Sequence, residues 1–461
     1  MTATLVLPGN IEAELVASLA NPLETAGVLL AREAITPSGI KLLARSMHWV
    51  RDEAYLERSS HHMLIASTGY VWALGLADAD SSIPIWFHTH PDGAASPLPS
   101  PWDHQVDEKI AETFRLRSGT ETYATLIMAP SLARYRFSGT IQRPGNADRP
   151  IDRLWVSGDR WRLSHAATST QASPDPGFDR NILAFGPEIQ GTLCDLHVGI
   201  IGAGGTGSAV AEQLVRLGVR KLLLIDADCL SESNVTRVYG STPADVGRQK
   251  VEVLRDHLMR IAPDLKCNVL AKMGTLQSAV RAMSAADVVF GCTDDNAGRL
   301  ALSRLATYFL LPVIDVGVLL SSDTNGLLQG IDGRITTLTP GAACLVCRNR
   351  VDMARAAAEL KTPEERRRLT DEGYAPALGQ VEPAVIAFTT AVAAAAVNEL
   401  LDRLIGYGPP DRPTETLLRL HEREMSTNQA EPREHHYCHK AQGKWGAGNE
   451  EPYLGQLWPA E

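Results

Sequence analysis

The segment HVGIIGAGGTGSAVAEQLVRLGVRKLLLID, residues 197–226, decides the fold. It begins with a short apolar run, His197–Ile201, which is typical of a buried strand. A glycine cluster follows, and apolar residues then recur at helical spacing over Ala209–Leu217 before a second apolar run at Lys221–Asp226. Strand, glycine turn, helix and strand in this order predict a β-α-β unit and therefore a parallel sheet.

The sequence around this unit continues the alternation of strands and helices. Asp287–Cys292 and Pro312–Val318 are predicted strands, and the Ala-rich stretch Ala384–Leu401 is a predicted helix. Before the unit, residues 166–177 are rich in Ser, Thr, Pro and Gly, which is typical of a linker. We therefore predict a second domain over residues 178–461 that contains the parallel sheet.

The first 165 residues have a different pattern. Four short apolar runs predict strands at 27–31, 83–87, 123–128 and 133–137, and two longer segments predict helices at 63–77 and 103–116. We expect residues 1–165 to form a smaller, mixed α/β domain.

Length and composition exclude several classes of protein. The 461 residues are 44% hydrophobic and 21% charged, which is the range of globular chains. A net charge of -10 without a long basic run argues against a nucleic-acid partner. No stretch approaches the roughly 18 apolar residues that cross a bilayer, and the N-terminus lacks the basic region of a signal peptide, so no membrane association and a cytoplasmic location are expected. Seven Cys in a long chain indicate reduced thiols.

The glycine cluster lies directly after a predicted strand and opens a predicted helix. Gly202, Gly204, Gly205 and Gly207 permit a tight turn whose backbone N–H groups face an anionic phosphate. Asp226, at the end of the next predicted strand, is placed to accept a hydrogen bond from a ribose hydroxyl. These residues alone fit a dinucleotide dehydrogenase as well as an ATP enzyme.

Polar residues near the ends of the later predicted strands and helices distinguish a dinucleotide dehydrogenase from an ATP enzyme. In chain order they are Asp226, Asp228, Asn234, Arg237, Lys250, Asp294, Asp295, Asn296 and Arg299. Arg237 and Lys250 are able to hold a triphosphate, and Asp294 is able to hold Mg²⁺. A hydride-transfer enzyme needs neither a metal nor two phosphate clamps, so this set favours an ATP enzyme.

These motifs resemble the ubiquitin-activating-enzyme superfamily, whose bacterial members include ThiF, MoeB and HesA. The resemblance covers about residues 178–401 and implies a Rossmann-like domain that adenylates the C-terminal carboxylate of a ubiquitin-like protein with ATP and Mg²⁺. It also implies a homodimer in which Arg180 reaches into the partner's ATP site as an arginine finger. The family usually has Asn after its Mg²⁺-binding Asp, whereas Asp295 follows Asp294 here.

A pair of cysteines indicates a structural metal site. Cys344-Leu-Val-Cys347 has the spacing that lets both thiolates reach one tetrahedral Zn²⁺. In the resembled family a second Cys pair near the C-terminus completes such a site. The predicted ligands here are Cys344, Cys347, Cys438 and His435, with His436 or His439 as substitutes for His435. Free thiols or a redox pair are the other interpretation.

The first domain contains a second metal-binding pattern. His88-Thr-His90 follows the predicted strand 83–87, so both imidazoles project to one side, and Asp103 supplies a third ligand. Three protein ligands leave a fourth zinc position for water, as in catalytic sites. Such a water needs a general base, and Glu24, which immediately precedes a predicted strand, is the candidate. Ordinary loop histidines are the other interpretation.

This arrangement is similar to the JAMM (MPN/JAB) metalloprotease family, with its upstream Glu and its His-x-His…Ser-x-x-Asp pattern. The resemblance covers roughly residues 10–140 and implies a role for Ser100 in assisting the tetrahedral intermediate. The gap between His90 and Ser100 is two residues longer than the usual seven.

Three functional hypotheses remain from the sequence. The first is a bifunctional bacterial enzyme that adenylates a ubiquitin-like protein and trims or deconjugates it, with a conjugating enzyme as a further partner. The second is activation of a sulfur-carrier protein, with a sulfurtransferase as a partner. The third is a scaffold that binds nucleotide without turnover.

The cysteines argue against a thioester step. Residues 351–383, where thioester-forming enzymes of the family usually carry the reactive thiol, contain no Cys. The remaining thiols, Cys194, Cys229, Cys267 and Cys292, lie in or beside predicted Rossmann elements and are predicted to be buried and inert.

Overall fold

The computed structural model describes residues 2–91, 97–132, 134–167, 175–325, 327–371 and 383–458. The chain divides into two compact units. Unit 1 contains Met1–Gln171 and Trp445–Asn449, and unit 2 contains Ala172–Lys444 and Glu450–Glu461. The segment Trp445–Asn449, which the sequence-based division assigned to the second domain, therefore belongs to unit 1. Most of the predicted linker, at 168–174, lies outside the described residues.

Unit 1 is a mixed α/β structure. Its strands are β1 (Thr2–Pro8), β2 (Ala26–Thr36), β3 (Gly39–Trp49), β4 (Tyr55–Arg58), β5 (Met63–Ile65), β6 (Ile83–Thr89), β7 (Tyr123–Ser131), β8 (Arg134–Gln142), β9 (Arg149–Pro150), β10 (Arg153–Ser157) and β11 (Arg162–His165). Its helices are α1 (Gly9–Ser18), α2 (Val71–Asp80) and α3 (Pro101–Ser118).

One sheet organises unit 1. Among the described residues, nine strands run in the order β11-β10-β1-β3-β2-β6-β7-β8-β9, and a separate pair joins β4 to β5. The apolar run of β6 is buried along its whole length because β6 lies inside the sheet, between β2 and β7. Helix α1 contributes Ile11 and Leu15 to one hydrophobic core. Helices α2 and α3 contribute Leu74 and Phe114 to another.

The predicted helix over 63–77 is wrong at its beginning. Met63–Ile65 forms strand β5, which pairs antiparallel with β4, and helix α2 begins only at Val71. The apolar residues at 63–65 match both a helix and a short strand, and pairing with a neighbouring strand decides between them. The predicted strand at 133–137 falls in β8 except for residue 133, which lies outside the described residues.

Unit 2 combines a parallel sheet with flanking helices. Its strands are β12 (His197–Ile201), β13 (Lys221–Ile225), β14 (Lys266–Leu270), β15 (Val288–Gly291), β16 (Val313–Ser322), β17 (Leu328–Leu338), β18 (Glu415–Arg419) and β19 (Glu424–Asn428). Its helices are α4 (Asp179–Asp195), α5 (Gly205–Arg216), α6 (Lys250–Ile261), α7 (Gln277–Met283), α8 (Asn296–Tyr308), α9 (Met353–Glu359), α10 (Pro363–Asp371) and α11 (Ile386–Ile405).

The sheet of unit 2 has a parallel part and an antiparallel part. In the described residues the strand order is β14-β13-β12-β15-β16-β17-β18-β19. Strands β12 to β16 pair in parallel, which confirms the predicted Rossmann-like architecture. The strand order reverses between β12 and β15, and ligands of open α/β sheets bind at such a point. Strand β16 continues past the end of β15 and pairs antiparallel with β17, and β17 pairs antiparallel with β18.

The predicted helix at 384–401 is observed as α11, with bounds Ile386–Ile405. It packs against α5 and against β16 and β17. In the part of the chain that the structure describes, no helix is long and apolar enough to cross a bilayer.

Candidate functional sites

The glycine turn between β12 and α5 is shaped by close backbone contacts. Gly202 has φ +90°, and a Cβ at that residue would lie 2.5 Å from the Cys292 carbonyl oxygen. A Cβ on Gly207 would lie 1.8 Å from the Gly202 carbonyl oxygen, so α5 packs against the turn only because residue 207 is glycine. At Gly204, by contrast, a Cβ would meet no heavy atom within 4 Å. The turn is tight on one side and open on the other.

The open side of the turn faces a cavity of about 900 Å³, a volume in the usual range of ligand sites. The predicted nucleotide-site residues that line it are Gly202, Gly204, Gly205, Asp226, Asp228, Arg237, Lys250 and Asp294. Because α5 begins at Gly205, the N-terminus of a helix also faces this space. Open backbone and helix N-terminus together fit an anionic phosphate.

Asp226 links β13 to the glycine turn. Its carboxylate accepts hydrogen bonds from the N–H groups of Ala203 at 2.7 Å and Asp228 at 2.8 Å. Burial raises the pKa of Asp226, while the Lys250 ammonium and the two N–H groups act in the opposite direction. The side chain therefore fixes the turn and remains on the cavity wall, where a ribose hydroxyl is expected.

The two predicted phosphate clamps are held by different partners. The Nζ atom of Lys250, in the first turn of α6, lies 2.7 Å from Oδ2 of Asp228. The Arg237 guanidinium donates a hydrogen bond to the Ser233 carbonyl at 2.8 Å, and its aliphatic part lies against Gly205. Both cations border the cavity next to the glycine turn.

Asp294 and its neighbour Asp295 have separate environments. Asp294 is exposed and lines the cavity, as a ligand of Mg²⁺ requires. Asp295 is the N-cap of α8, and its carboxylate accepts hydrogen bonds from the Gly298 N–H and the Thr293 hydroxyl. The residue that departs from the family pattern therefore stabilises a helix start.

Three of the predicted residues do not line this cavity: Gly207, Asn234 and Arg180. Gly207 packs against the turn, as described above. The buried side chain of Asn234 accepts a hydrogen bond from the Ser231 N–H at 3.1 Å, so it shapes the loop that carries Arg237. Arg180 is exposed in the first turn of α4.

The cavity has a second wall that motif analysis did not find. Strands β16, β17 and β18 contribute Gly317, Leu319, Asp332, Arg334, Leu417 and Arg419. These residues are more than 100 positions from the glycine turn, and strand pairing alone brings them to it. Arginines at alternate positions of a strand would have indicated a basic face of the sheet from sequence alone. Strand β17 contains a single Arg, so this signal is absent from it.

In unit 1, the end of β6 and the start of α3 form a cluster of metal-binding groups. His88 Nε2 lies 3.3 Å from Asp103 Oδ1, His90 Nε2 lies 3.6 Å from Asp103 Oδ2, and the two Nε2 atoms are 3.2 Å apart. Tetrahedral ligands about 2.1 Å from a zinc ion lie about 3.4 Å from one another. The three side chains therefore have the chemistry and spacing of zinc ligands, and they form one of the candidate metal groups among the described residues.

Glu24 lies beside this cluster. Thr25, its neighbour, is fixed to the end of β6 by two hydrogen bonds, from its N–H to the Thr89 hydroxyl and from the Thr89 N–H to its carbonyl. Burial raises the pKa of Glu24, and the nearby imidazoles of His88 and His90 act to lower it. A buried carboxyl with a raised pKa beside potential zinc ligands suits a group that accepts and returns a proton.

Ser100 and Asp103 form a capping box at the start of α3. The Asp103 N–H donates to the Ser100 hydroxyl at 3.1 Å, and the Ser100 N–H donates to Asp103 Oδ2 at 2.7 Å. Burial acts to raise the pKa of Asp103, but hydrogen bonds from His88 and His90 hold it well below its ordinary range. The Ser-x-x-Asp spacing thus caps the start of α3. The same hydrogen bonds hold the Asp103 carboxylate beside the imidazoles of His88 and His90.

In unit 2, the predicted structural zinc ligands meet, with one correction. Cys347 Sγ and Cys438 Sγ are 3.6 Å apart, and His436 Nδ1 lies 3.5 Å from Cys344 Sγ and 3.2 Å from Cys438 Sγ. Ligands around a tetrahedral Zn²⁺ with sulfur at about 2.3 Å are about 3.5–3.8 Å apart. The pKa of Cys344 is lowered to about 5, chiefly by a hydrogen bond from Cys438.

The histidine in this group is His436, and His435 is exposed. The spacing of residues 435–438 predicts His435 as the ligand, whereas His436, its predicted substitute, is the histidine that lies beside the cysteines. The chain turns here, with hydrogen bonds from the His436 N–H to the Arg433 carbonyl and from the His439 N–H to the His436 carbonyl. In that turn residues 436 and 438 face the same side. His439 Nδ1 accepts from the Ala441 N–H instead.

The other cysteines differ in exposure. Burial raises the pKa values of Cys267 and Cys292. Cys194 is half-buried, and Cys229 is exposed, so the expectation of a buried thiol is wrong for Cys229.

Residues 178–440 match the model of the ThiF family. The match covers more than half of the 461 residues, and the chain belongs to the ThiF family. Residues before 178, including the His88 cluster, lie outside the matched range.

Individual relatives match a smaller part of the chain. The SAMP-activating enzyme E1 of Haloferax volcanii is 26% identical over 172 residues, which are 37% of this chain and 60% of that protein. The sulfur carrier protein ThiS adenylyltransferase of Escherichia coli is 32% identical over 171 residues, 35% of this chain and 64% of that protein. The chain thus spans less than two thirds of either relative. A crystal structure of E. coli MccB with MccA-N7isoASN is similar at 17% identity and a TM-score of 0.46, covering 57% of this chain and 74% of that one.

Proposed function

We propose that unit 2 adenylates the C-terminal carboxylate of a ubiquitin-like or sulfur-carrier protein with ATP and Mg²⁺. The observation that carries the proposal is the single cavity in which an open glycine turn, two cations and an exposed carboxylate meet. Membership of the ThiF family supports it, and so do the names of the two relatives, an activating enzyme and a sulfur-carrier adenylyltransferase.

In this proposal each residue has a distinct role. The glycine turn and the N-terminus of α5 bind phosphate, and Asp226 binds a ribose hydroxyl. The substrate carboxylate attacks the α-phosphorus of ATP, forming an acyl-adenylate and releasing pyrophosphate. Arg237 and Lys250 stabilise the charge that develops on the phosphates, and Asp294 would hold Mg²⁺. Asp228 keeps the Lys250 ammonium in place beside the turn.

Partner-dependent exchange between ATP and labelled pyrophosphate tests this proposal. We expect exchange with the wild-type chain and its carrier protein, and loss of at least about 100-fold in Asp294→Ala, since each charge-stabilising group contributes about that much. Asp264→Ala, which removes an exposed carboxylate that does not line the cavity, is the matched control. Nucleotide binding without any exchange would favour the scaffold hypothesis instead.

We further propose that unit 1 is a zinc-dependent peptidase or isopeptidase of the JAMM type, which trims or deconjugates the same carrier protein. The spacing of His88, His90 and Asp103 supports a zinc site, and a zinc ion there would polarise the scissile carbonyl and activate water. Glu24 would take the proton of the attacking water and pass it to the leaving amine. Ser100 would donate a hydrogen bond to the oxyanion of the tetrahedral intermediate.

Intact mass spectrometry of a carrier precursor tests the peptidase. We expect the wild-type chain to remove the residues beyond the reactive C-terminus and Glu24→Gln to leave the precursor intact, because the amide cannot accept the proton. Glu14→Gln, on the surface of α1, is the control. Equal cleavage by wild type and Glu24→Gln would refute the assigned base.

The product formed from the activated carrier protein distinguishes a sulfur-carrier pathway from a protein-modification pathway. Residues 351–383 contain no Cys, which argues against a thioester on this segment and leaves both pathways open. In the sulfur-carrier pathway, a sulfurtransferase would convert the adenylate to a thiocarboxylate. A conjugating enzyme is the expected partner in a modification pathway. Exchange of one carboxylate oxygen for sulfur, detected by mass spectrometry, would establish the first; a ladder of conjugates would establish the second.

A further inference from the structure

The wall of the unit 2 cavity formed by β16, β17 and β18 is built in three rows. Residues that lie opposite each other in register share a face of the sheet. The inner row is Asp315, Thr336 and Glu415; the middle row is Gly317, Arg334 and Leu417; the outer row is Leu319, Asp332 and Arg419. The middle and outer rows line the cavity, and the residues of the inner row, next to them on the same face, are buried.

Asp315, in the inner row, holds two arginines that reach the cavity. Its carboxylate is fully buried and lies 3.1 Å from Arg334 Nη2 and 3.4 Å from Arg299 Nε. Both guanidinium groups lie against Gly317, since a Cβ there would be in van der Waals contact with Arg334 Nη2 at 3.4 Å and Arg299 Nη2 at 3.6 Å. Two cations are therefore held side by side over one carboxylate.

Glu415, the other acid of the inner row, repeats this arrangement. It lies 2.7 Å from Arg350 Nη2 and 4.0 Å from Arg348 Nη1, and it is also buried. Four guanidinium groups thus surround two buried carboxylates, and Arg299, Arg334 and Arg350 line the cavity. Burial lowers the pKa of Arg334; the Asp315 carboxylate acts to raise it, and the neighbouring Arg299 and Arg350 act to lower it. The middle of this wall has an excess of positive charge.

The position of the wall favours a ligand other than the phosphates of ATP. The glycine turn follows β12, and β17 is three strands away, roughly 14 Å at the usual strand spacing. An extended peptide advances roughly 3.3 Å per residue, so about four residues cover that distance. In the outer row Asp332 lies opposite Arg419, which also pairs with Glu424, so the positive excess lies around Arg334 and its neighbours Arg299 and Arg350, not at the outer row.

We infer that Arg334, supported by Arg299 and Arg350, binds an acidic side chain located about three to five residues before the C-terminus of the protein that unit 2 activates. The inference rests on the proposed adenylation, since it requires the carboxyl end of that protein at the glycine turn. It adds a substrate class: carriers whose tail contains an Asp or Glu close to the reactive end.

Fluorescence anisotropy with labelled ten-residue peptides ending in Gly-Gly tests the inference on the full chain. One peptide has Asp four residues from its end, and its partner has Asn there. We expect the Asp peptide to bind about tenfold more tightly, as a charge-assisted hydrogen bond in a half-buried site provides. The difference should vanish in Arg334→Gln, persist in Arg334→Lys, and persist in Arg419→Gln, which removes the same charge from the outer row.

Equal binding of the two peptides, including no binding of either up to about 1 mM, would overturn the inference. It would also be overturned if Arg334→Gln weakened ATP binding as much as peptide binding, because the arginines would then belong to the nucleotide. ATP binding and pyrophosphate exchange, measured on the same samples, report on the adenylation itself. Loss of the peptide preference with exchange intact refutes the acidic-tail inference alone.

Discussion

Ser100 shows how one side chain can satisfy a structural rule and a catalytic pattern together. Its hydroxyl caps α3, and the reciprocal bond from its N–H fixes the Asp103 carboxylate near His88 and His90. A sequence pattern cannot distinguish these two uses, because a capping box and the Ser-x-x-Asp element require the same spacing.

Substitutions of Ser100 measure how much the helix cap contributes to the stability of unit 1. Ser100→Ala removes the acceptor for the Asp103 N–H and should lower the stability of unit 1 by about 1 kcal/mol. Ser100→Thr keeps a hydroxyl and should remain close to wild type. Urea unfolding followed by tryptophan fluorescence checks this, since six of the eight tryptophans precede residue 166. An alanine variant as stable as wild type would show that the cap contributes nothing.

At the scale of elements, both candidate metal centres lie where two chain segments meet. The Cys344-Cys347 pair and the 436–438 turn are distant in sequence, and neither contains four ligands. Similarly, β6 provides two imidazoles and α3 provides one carboxylate. Each centre therefore depends on packing between elements, and in each the local motif supplies only a pair of ligands.

Metal analysis of purified full-length variants checks the structural site. We expect about two zinc ions per wild-type chain, and about one in Cys438→Ala and in His436→Ala, because a lost ligand opens the unit 2 site while the unit 1 site remains. His435→Ala should keep both ions. The assignment fails if His435→Ala loses zinc and His436→Ala retains it.

At the scale of the whole molecule, the chain passes between its units more than once. It leaves unit 1 near residue 171 and returns for Trp445–Asn449. The Trp445 carbonyl accepts a hydrogen bond from Arg45, and the Asn449 side chain donates to the Ile35 carbonyl at 3.2 Å. Residues 445–449 near the C-terminus thus have hydrogen-bond partners elsewhere in unit 1.

A homodimer with shared sites is the corresponding prediction at this scale. Arg180 is exposed and does not line the cavity of its own chain, which is what an arginine finger acting on a second copy requires. Arg180→Ala and Asp294→Ala should each lack pyrophosphate exchange. Mixed and allowed to exchange subunits, they should regain part of it, because a mixed dimer contains one site with both residues intact.

The mixture has a simple control. Two preparations of Asp294→Ala, mixed in the same way, should stay inactive. If the Arg180 and Asp294 variants also stay inactive when mixed, although mass analysis shows mixed dimers, Arg180 acts within its own chain or has no role.

The glycine turn, Asp226, Lys250 and Asp294 could be found from the sequence because each lies at the end of a strand or the start of a helix whose periodicity is local. The parallel order of the strands then brings those ends to one edge of the sheet. The same reasoning located His88 and His90 at the end of β6. Local periodicity does not specify which residues from distant parts of the chain lie opposite these side chains.

Only the tertiary structure decided the rest. The register of β16, β17 and β18 places Arg334 over Asp315, and a turn near residue 436 selects His436 instead of His435. Pairing with β4 makes Met63–Ile65 a strand. Register and turn geometry depend on hydrogen bonds between segments far apart in the chain, so no short stretch of sequence contains them.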